Sequence, residues 1–385
     1  MSFFLFVKQI VDMLYQYKFL DYIMVGLVLL LLVYQTALVR PDLRRWYTKA
    51  DLIILLLGTL TTIGFLKTPV AYENYFKVIS AFLMYFVGRI YYDRIQECYG
   101  ALVSGAYLIV YLNFLKRIQH FGWDLLKVKD AGGDFYYYDT DMAFAIILAM
   151  VFIAMFGKNT VIKYLTIFAV CPYLVFYSDA GIQKILMLAV YAIILVYLTE
   201  LVFRKQKLTS IVLTLMIIGM IAVVITIYLP VMGVENKELI LGLFDNRLLN
   251  NSNMYDRYTK WENILSIFHQ KGIGERLFGA GLDAGIPIES LYIKLLYALG
   301  YVGVLLALLL IGYITYCVVK IEDRKTFYLA VIMAVMLMGT GVTINSMECV
   351  QMSWFPLLFA GMVISSVREG GREKDAFFDY HCMLK

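Results

Sequence analysis

The chain has 385 residues, of which 62% are hydrophobic and only 16% charged, and its mean hydropathy is +0.75. A soluble domain is nearer half apolar and a quarter charged, and no globular core of this size hides so much apolar surface. The composition therefore excludes an ordinary soluble enzyme and points to an all-α polytopic membrane protein. The formal charge is a modest +5, and no nucleic-acid partner is expected.

Residues 2–20 are apolar but interrupted by Lys8, Asp12 and Lys18. They lack a basic head, a clean apolar run and a small-residue cleavage site, so they read as an interfacial segment rather than a removed signal. A short first span is the alternative. A span needs about 20 mostly apolar residues to cross roughly 30 Å of hydrocarbon. That ruler places spans at 21–39, 51–66, 75–92, 98–116, 142–156, 160–177, 181–200, 209–230, 291–319, 326–345 and 350–367. The total is about eleven, within a range of about 10–12. Pro172 and Pro356 fall inside spans, which membrane helices tolerate when neighbours satisfy the freed carbonyl. Arg89 lies in the third span, where a mid-bilayer guanidinium costs roughly 2.5–3.5 kcal/mol. Its nearness to Arg94 predicts an anchoring residue that snorkels toward the cytoplasmic end.

Basic residues set the orientation. Arg40, Arg44, Arg45 and Lys49 follow the first span, Arg94 the third, and Lys158 the fifth. Arg204, Lys205 and Lys207 follow the seventh, Lys320, Arg324 and Lys325 the ninth, and Arg368, Arg372 and Lys374 the last. These alternate loops share one side, which is expected to be cytoplasmic, while the loops at 178–180 and 346–349 hold no basic residue. The 117–141 loop is the exception, with Arg117, Lys127 and Lys129 among five aspartates. Its Phe135-Tyr136-Tyr137-Tyr138 run fits a membrane-interface belt, or a surface on which sugar rings stack. The plan that follows has N-terminal spans over 1–230, a large extracytoplasmic loop over 231–288 and C-terminal spans over 289–367. A short polar cytoplasmic tail over 368–385 is expected to be flexible.

The 231–288 segment is the one long polar break. It holds Arg247, then Arg257 and Trp261 within a run where Tyr258, Trp261, Leu265 and Phe268 recur at helical spacing. That spacing predicts an amphipathic helix lying on the membrane surface. Arg257 is read as opening this helix, where the macrodipole disfavours a cation unless an anion compensates; pairing with Asp256 or Glu262 is the simpler account. Arg276 and a Gly279-Ala280-Gly281 turn follow, and Glu289 is placed in the first turn of the next span, where a helix-capping acid is the simpler account. No phosphate-binding glycine loop, dinucleotide fingerprint or HExxH helix occurs. Five scattered cysteines and three separated histidines suggest neither a disulfide framework nor a metal site, so no cofactor is expected.

The order of these pieces carries more than any one of them. An Arg-x3-Trp helix, then Phe-Gly-x-Gly, then a polar residue, x2, Tyr, x7, Gly-x2-Gly resembles the O-antigen ligase and polysaccharide polymerase (Wzy-type) superfamily. Arg257, Trp261, Gly279, Gly281, Glu289, Tyr292, Gly300 and Gly303 carry the pattern. In ligases the position of Glu289 is usually a histidine followed by asparagine; Glu289-Ser290 here favours the polymerase branch. A short outer loop of the family reads Ser-Arg-small. Here it is Ser178-Asp179-Ala180, so the arginine's role does not transfer, and Lys184 is the nearest substitute cation.

The resemblance implies a glycosyltransferase that joins polyprenyl-pyrophosphate-linked oligosaccharide repeats into capsular, exopolysaccharide or O-antigen chains at the outer face of a bacterial inner membrane. It implies pyrophosphate binding by Arg257, with Arg247, Arg276 and Lys184 as further candidates, since guanidinium forks match phosphate oxygens. Glu289 would be the base toward the acceptor hydroxyl. Trp261, Gly279, Gly281 and Tyr292 would position the loop. A flippase and a chain-length regulator of the same pathway would be partners. A ligase-type transferase and a repeat-unit transporter are the alternatives; transporters usually show duplicated halves and broken midplane helices, and neither is visible here.

Overall fold

A computed structural model of the chain describes residues 1–13, 18–39, 47–69, 72–121, 139–176, 178, 181–203, 252–285 and 287–383. Every regular element among them is helical. They are α1 (Ser2–Met13), α2 (Lys18–Val39), α3 (Lys49–Lys67), α4 (Tyr72–Ile90), α5 (Tyr92–Glu97), α6 (Tyr99–Phe121) and α7 (Asp139–Phe156). Then come α8 (Val161–Phe176), α9 (Gly181–Phe203), α10 (Ser252–Gln270), α11 (Ile273–Phe278), α12 (Leu291–Val319), α13 (Arg324–Thr340) and α14 (Val350–Met383). A 3₁₀ turn, Ser346–Glu348, separates the last two.

Five helices are long and apolar enough to cross a membrane: α3, α6 over Tyr99–Gln119, α9 over Ile182–Leu201, α12, and α14 over Val350–Val367. Three apolar helices are shorter, at Phe19–Tyr34, Thr140–Phe156 and Val161–Phe176. The chain is thus a membrane-embedded protein whose regular elements, among the described residues, are all helical, five of them long and apolar enough to span. The expected spans at 75–92 and 326–345 are helices, but α4 carries Glu73, Lys77 and Arg89, and α13 has only 17 residues. The expected span at 209–230 lies outside the described residues, as do Arg40, Arg44, Arg45, Arg204, Lys205, Lys207, Arg247 and most of the 117–141 loop. After Val367 the helical backbone continues to Met383, where a flexible tail was expected.

Two compact units emerge. One comprises Met1–Asp21, Glu97–Lys260 and Met338–Thr343; the other comprises Tyr22–Gln96, Trp261–Leu337 and Ile344–Lys385. In the first, α7 is apolar on every side, and each residue from Ala143 to Met155 is buried. A helix apolar all round belongs in an interior, and α1, α6, α8 and α9 surround it. Its shortness follows, because a helix enclosed by protein need not match the hydrocarbon thickness. In α8 the backbone widens to a π-turn over Thr166–Val170, with Cys171 N–H reaching back to Thr166 O. Pro172 follows directly; it has no N–H to give, and the wide turn accommodates its ring.

The same unit buries several ionic groups. Lys8 pairs with Asp12 on α1, and Gln9 donates to the Leu102 carbonyl of α6 at 3.1 Å. Arg117 is wholly buried within α6, not in the following loop, and donates from Nε to the Tyr173 hydroxyl at 2.6 Å.

In the second unit α4 and α14 pack backbone to backbone. A Cβ on Gly88 would fall 1.9 Å from the Leu358 carbonyl oxygen, and one on Gly361 would fall 2.1 Å from that of Tyr85. Small residues that admit such contact are what drives helix association in lipid. Trp354 seals the seam by donating its indole N–H to Ser80 Oγ at 3.0 Å. On α3 the face with Ile54, Leu57 and Gly64 is buried, while Leu52, Leu55, Leu56, Ile63 and Leu66 are exposed. Large apolar side chains facing outward are what lipid requires and water does not favour.

Arg89 differs from its expected role. It is buried against Asp51, with Nε 3.1 Å from Oδ1, and its Nη1 donates to Ser365 Oγ at 2.8 Å. Asp51 also accepts from the Tyr85 hydroxyl and from Thr48, whose side chain caps α3. A carboxylate on a neighbouring helix removes the need to snorkel.

Candidate functional site

Trp261 to Gly303 folds as one piece of the second unit. Ser290 stands at the N-cap position of α12 without a side-chain capping bond, and the helix runs regularly until Gly300, whose φ of 67° and ψ of −170° break helical geometry. Only glycine adopts that region readily. Into the break runs the Leu277–Leu282 turn. Ala280 N–H donates to the Tyr297 carbonyl at 2.8 Å. Gly279, at φ 89°, lies so close that a Cβ there would stand 1.9 Å from the Ala298 carbonyl oxygen. A Cβ on Gly300 would stand 2.5 Å from Gly279 N and from Leu277 O. The two glycines fit each other, one in the turn and one in the helix.

Side chains then fix the turn. Lys67, the last residue of α3, donates to the Gly279 carbonyl at 2.6 Å. Thr68 Oγ1 accepts from Leu282 N–H at 2.8 Å, which brings Gly281 against the threonine methyl. Lys294, in the first turn of α12, donates to the Leu282 carbonyl. Its Nζ also lies 2.8 Å from Glu348 Oε1, near enough to pair though not aligned as a hydrogen bond. Beneath the turn a small apolar core gathers Ile264 and Phe268 of α10, Ala280, Ile288 and Tyr297. The buried side of α10 is thus Ile264 and Phe268, with Leu265 and Trp261 half-buried and Tyr258 exposed. The expected stripe is rotated toward Ile264 because α10 packs on protein along its C-terminal half.

The remaining candidates of this unit lie on α11 and at the entry to α12. Arg276 is half-exposed on α11, and no described side chain pairs with it. Glu289 is half-exposed and stands one residue before the Ser290 cap, so it precedes α12 rather than lying in its first turn. Tyr292 is 38% exposed on the first turn of α12.

In the first unit, α10 begins at Ser252, so Arg257 lies well inside the helix and not at its start. The expected conflict with the helix dipole, which is confined to the first turn, therefore falls away. Arg257 donates from Nη1 to the Thr343 carbonyl. The Met338–Thr343 segment also meets α9, where Leu186 lies 3.3 Å from a Cβ built on Gly339. Arg257 and Lys184 are thereby attached to elements that share one neighbour. Lys184 is buried at 4% exposure, and beside it Gln183 is fully buried with no partner for either amide atom among the described residues. Ser178 is buried, its hydroxyl turned back to the Val175 carbonyl at 2.7 Å. Asp179 and Arg247 lie outside the described residues.

Sequence reasoning missed Lys67, Lys294, Asn345 and Glu348. A signal for Lys294 existed: a cation in the first turn of an apolar helix is disfavoured by the dipole and asks for an anion. Nothing in the sequence says that the anion is Glu348. Among the described residues no three His, Cys, Asp or Glu side chains converge to hold a metal ion. Compared with known protein families the chain matches none, and no curated protein matches it.

Proposed function

We propose that the chain is a glycosyltransferase that polymerises polyprenyl-pyrophosphate-linked oligosaccharide repeat units. It would do so at the outer face of a bacterial inner membrane, with about eleven spans, the 231–288 segment extracytoplasmic and the C-terminus cytoplasmic. The observation that carries the reading is the mutual fit of Gly279 and Gly300, since it gives the two separated glycine motifs of the resemblance one shared structural purpose. Arg276, half-exposed on α11 beside this turn, is the cation there best placed to meet an anionic carrier.

In the reaction an acceptor hydroxyl oxygen attacks the anomeric carbon of the donor repeat. The bond from that carbon to the pyrophosphate oxygen breaks, and its electron pair leaves with the pyrophosphate. Arg257 is first in line to meet the leaving charge, ahead of Arg247, Arg276 and Lys184. Glu289 takes the hydroxyl proton and returns it to water. The energy comes from the glycosyl–pyrophosphate bond, and the product is a lengthened glycan on its lipid. The test is Arg257→Ala in cells. Long glycan should disappear while single lipid-linked repeats accumulate and protein abundance holds; normal long-chain glycan would reject the assignment. Movement of the lipid-linked repeat across vesicles without new bonds would favour a transporter instead.

A further inference from the structure

We infer that Asn345 and Glu348 form a subsite for adjacent hydroxyls of a sugar ring, an inference that rests on the transferase reading above. Both residues lie on the segment between α13 and α14, which the basic-residue pattern puts on the same side as the 231–288 segment. Glu348 N–H donates to the Asn345 carbonyl at 3.0 Å, closing the 3₁₀ turn. Asn345 is the residue that enters this turn and Glu348 the one that ends it, so both side chains belong to one short segment. Ser346 locks the turn in place by donating Oγ to the Leu337 carbonyl at 3.2 Å.

Asn345 is 8% exposed, and neither its amide nitrogen nor its amide oxygen has a partner among the described residues. Buried amides are nearly always hydrogen-bonded, and an orphan destabilises the fold that keeps it. Glu348 Oε1 is likewise buried, with Lys294 Nζ beside it but not aligned to donate. A carboxamide offers one donor face and one acceptor, and a carboxylate offers acceptors only. Adjacent ring hydroxyls both donate and accept, so they satisfy all of these at once. A phosphate does not, because Glu348 repels it. The subsite therefore takes the carbohydrate part of the substrate and leaves the pyrophosphate to arginine.

The two roles separate in Asn345→Leu, which keeps the branched shape and the number of heavy atoms and removes the orphan amide. If Asn345 only fills space, this variant loses nothing; if it binds sugar, the protein becomes no less stable and loses its ligand. The probe is the free oligosaccharide released by mild acid from lipid-linked repeats accumulated in cells lacking the protein. Full-length wild type and variant, purified in nanodiscs, are compared for thermal unfolding, for binding of this oligosaccharide and for elongation of the intact lipid-linked repeat. The expected result is an unchanged or higher melting temperature, binding weakened about tenfold, as for one lost hydrogen-bonding group, and elongation with raised KM and little change in kcat. Should Asn345→Leu fail to fold, Asn345→Ala is judged by the same binding measurement. Wild-type binding in a folded variant overturns the subsite and points to a trapped water at Asn345. Binding that depends on Asn345 without any elongation overturns the transferase reading while the subsite stands.

Discussion

Replacing Gly279 by alanine isolates what holds the glycine turn against α12. Two terms add. A residue with a Cβ in this backbone region costs about 1–3 kcal/mol. The new methyl would also stand 1.9 Å from the Ala298 carbonyl oxygen, which belongs to a helix backbone and cannot rotate away. Overpacking of that kind costs about 1–3 kcal/mol more, so Gly279→Ala should lose about 4 kcal/mol. Two neighbours serve as controls. Gly274 on α11 has open space around its Cβ, and alanine there should gain about 0.5–1 kcal/mol from helix propensity. Gly285 has φ 70° but open space, so alanine there should lose only the backbone term, about 1–2 kcal/mol. Unfolding of the purified protein in mixed micelles of rising SDS fraction, followed by tryptophan fluorescence, ranks the three. If Gly279→Ala is as stable as Gly285→Ala, the contact with α12 is absent and the turn is not docked as described.

Arg89→Met should cost about 3–5 kcal/mol by stranding the Asp51 carboxylate, whereas the double variant Arg89→Met/Asp51→Leu should recover most of the loss; equal instability of both would deny the pair. In the first unit, Lys8→Met strands Asp12 and should cost a similar amount, again about 3–5 kcal/mol, measurable by the same unfolding titration. In a Cys349→Ser/Cys382→Ser background, Arg276→Cys should react in intact cells with a membrane-impermeant maleimide, because the side chain is half-exposed and the remaining Cys98, Cys171 and Cys317 are buried whereas Cys349 is partly exposed; protection until the membrane is opened would reverse the topology.

The membrane class was legible because apolar length is a local property. The role of Gly279 and Gly300 was half legible: the sequence marks a turn and a helix, but only their contact explains why both lack a Cβ. Ion pairs were not legible. Asp51 with Arg89, and Lys294 with Glu348, are joined by helix packing between distant parts of the chain, which periodicity does not encode. The position of Arg257 was misread because the first turns of α10, from Ser252, are mostly polar and leave no mark in the apolar pattern by which the helix start was read.

The Asp51–Arg89 pair has a consequence for how the protein reaches its membrane. The two charges sit at the start of α3 and the end of α4, helices that pack against each other. Released singly into lipid, each would oppose its own integration by roughly 2.5–3.5 kcal/mol if carried to mid-bilayer. Together they neutralise one another, so the two helices should leave the translocon as a hairpin. Glycosylation reporters on nascent chains truncated between Lys67 and Ile90 should show α3 stalled until α4 emerges, and prompt solitary integration of α3 would contradict this.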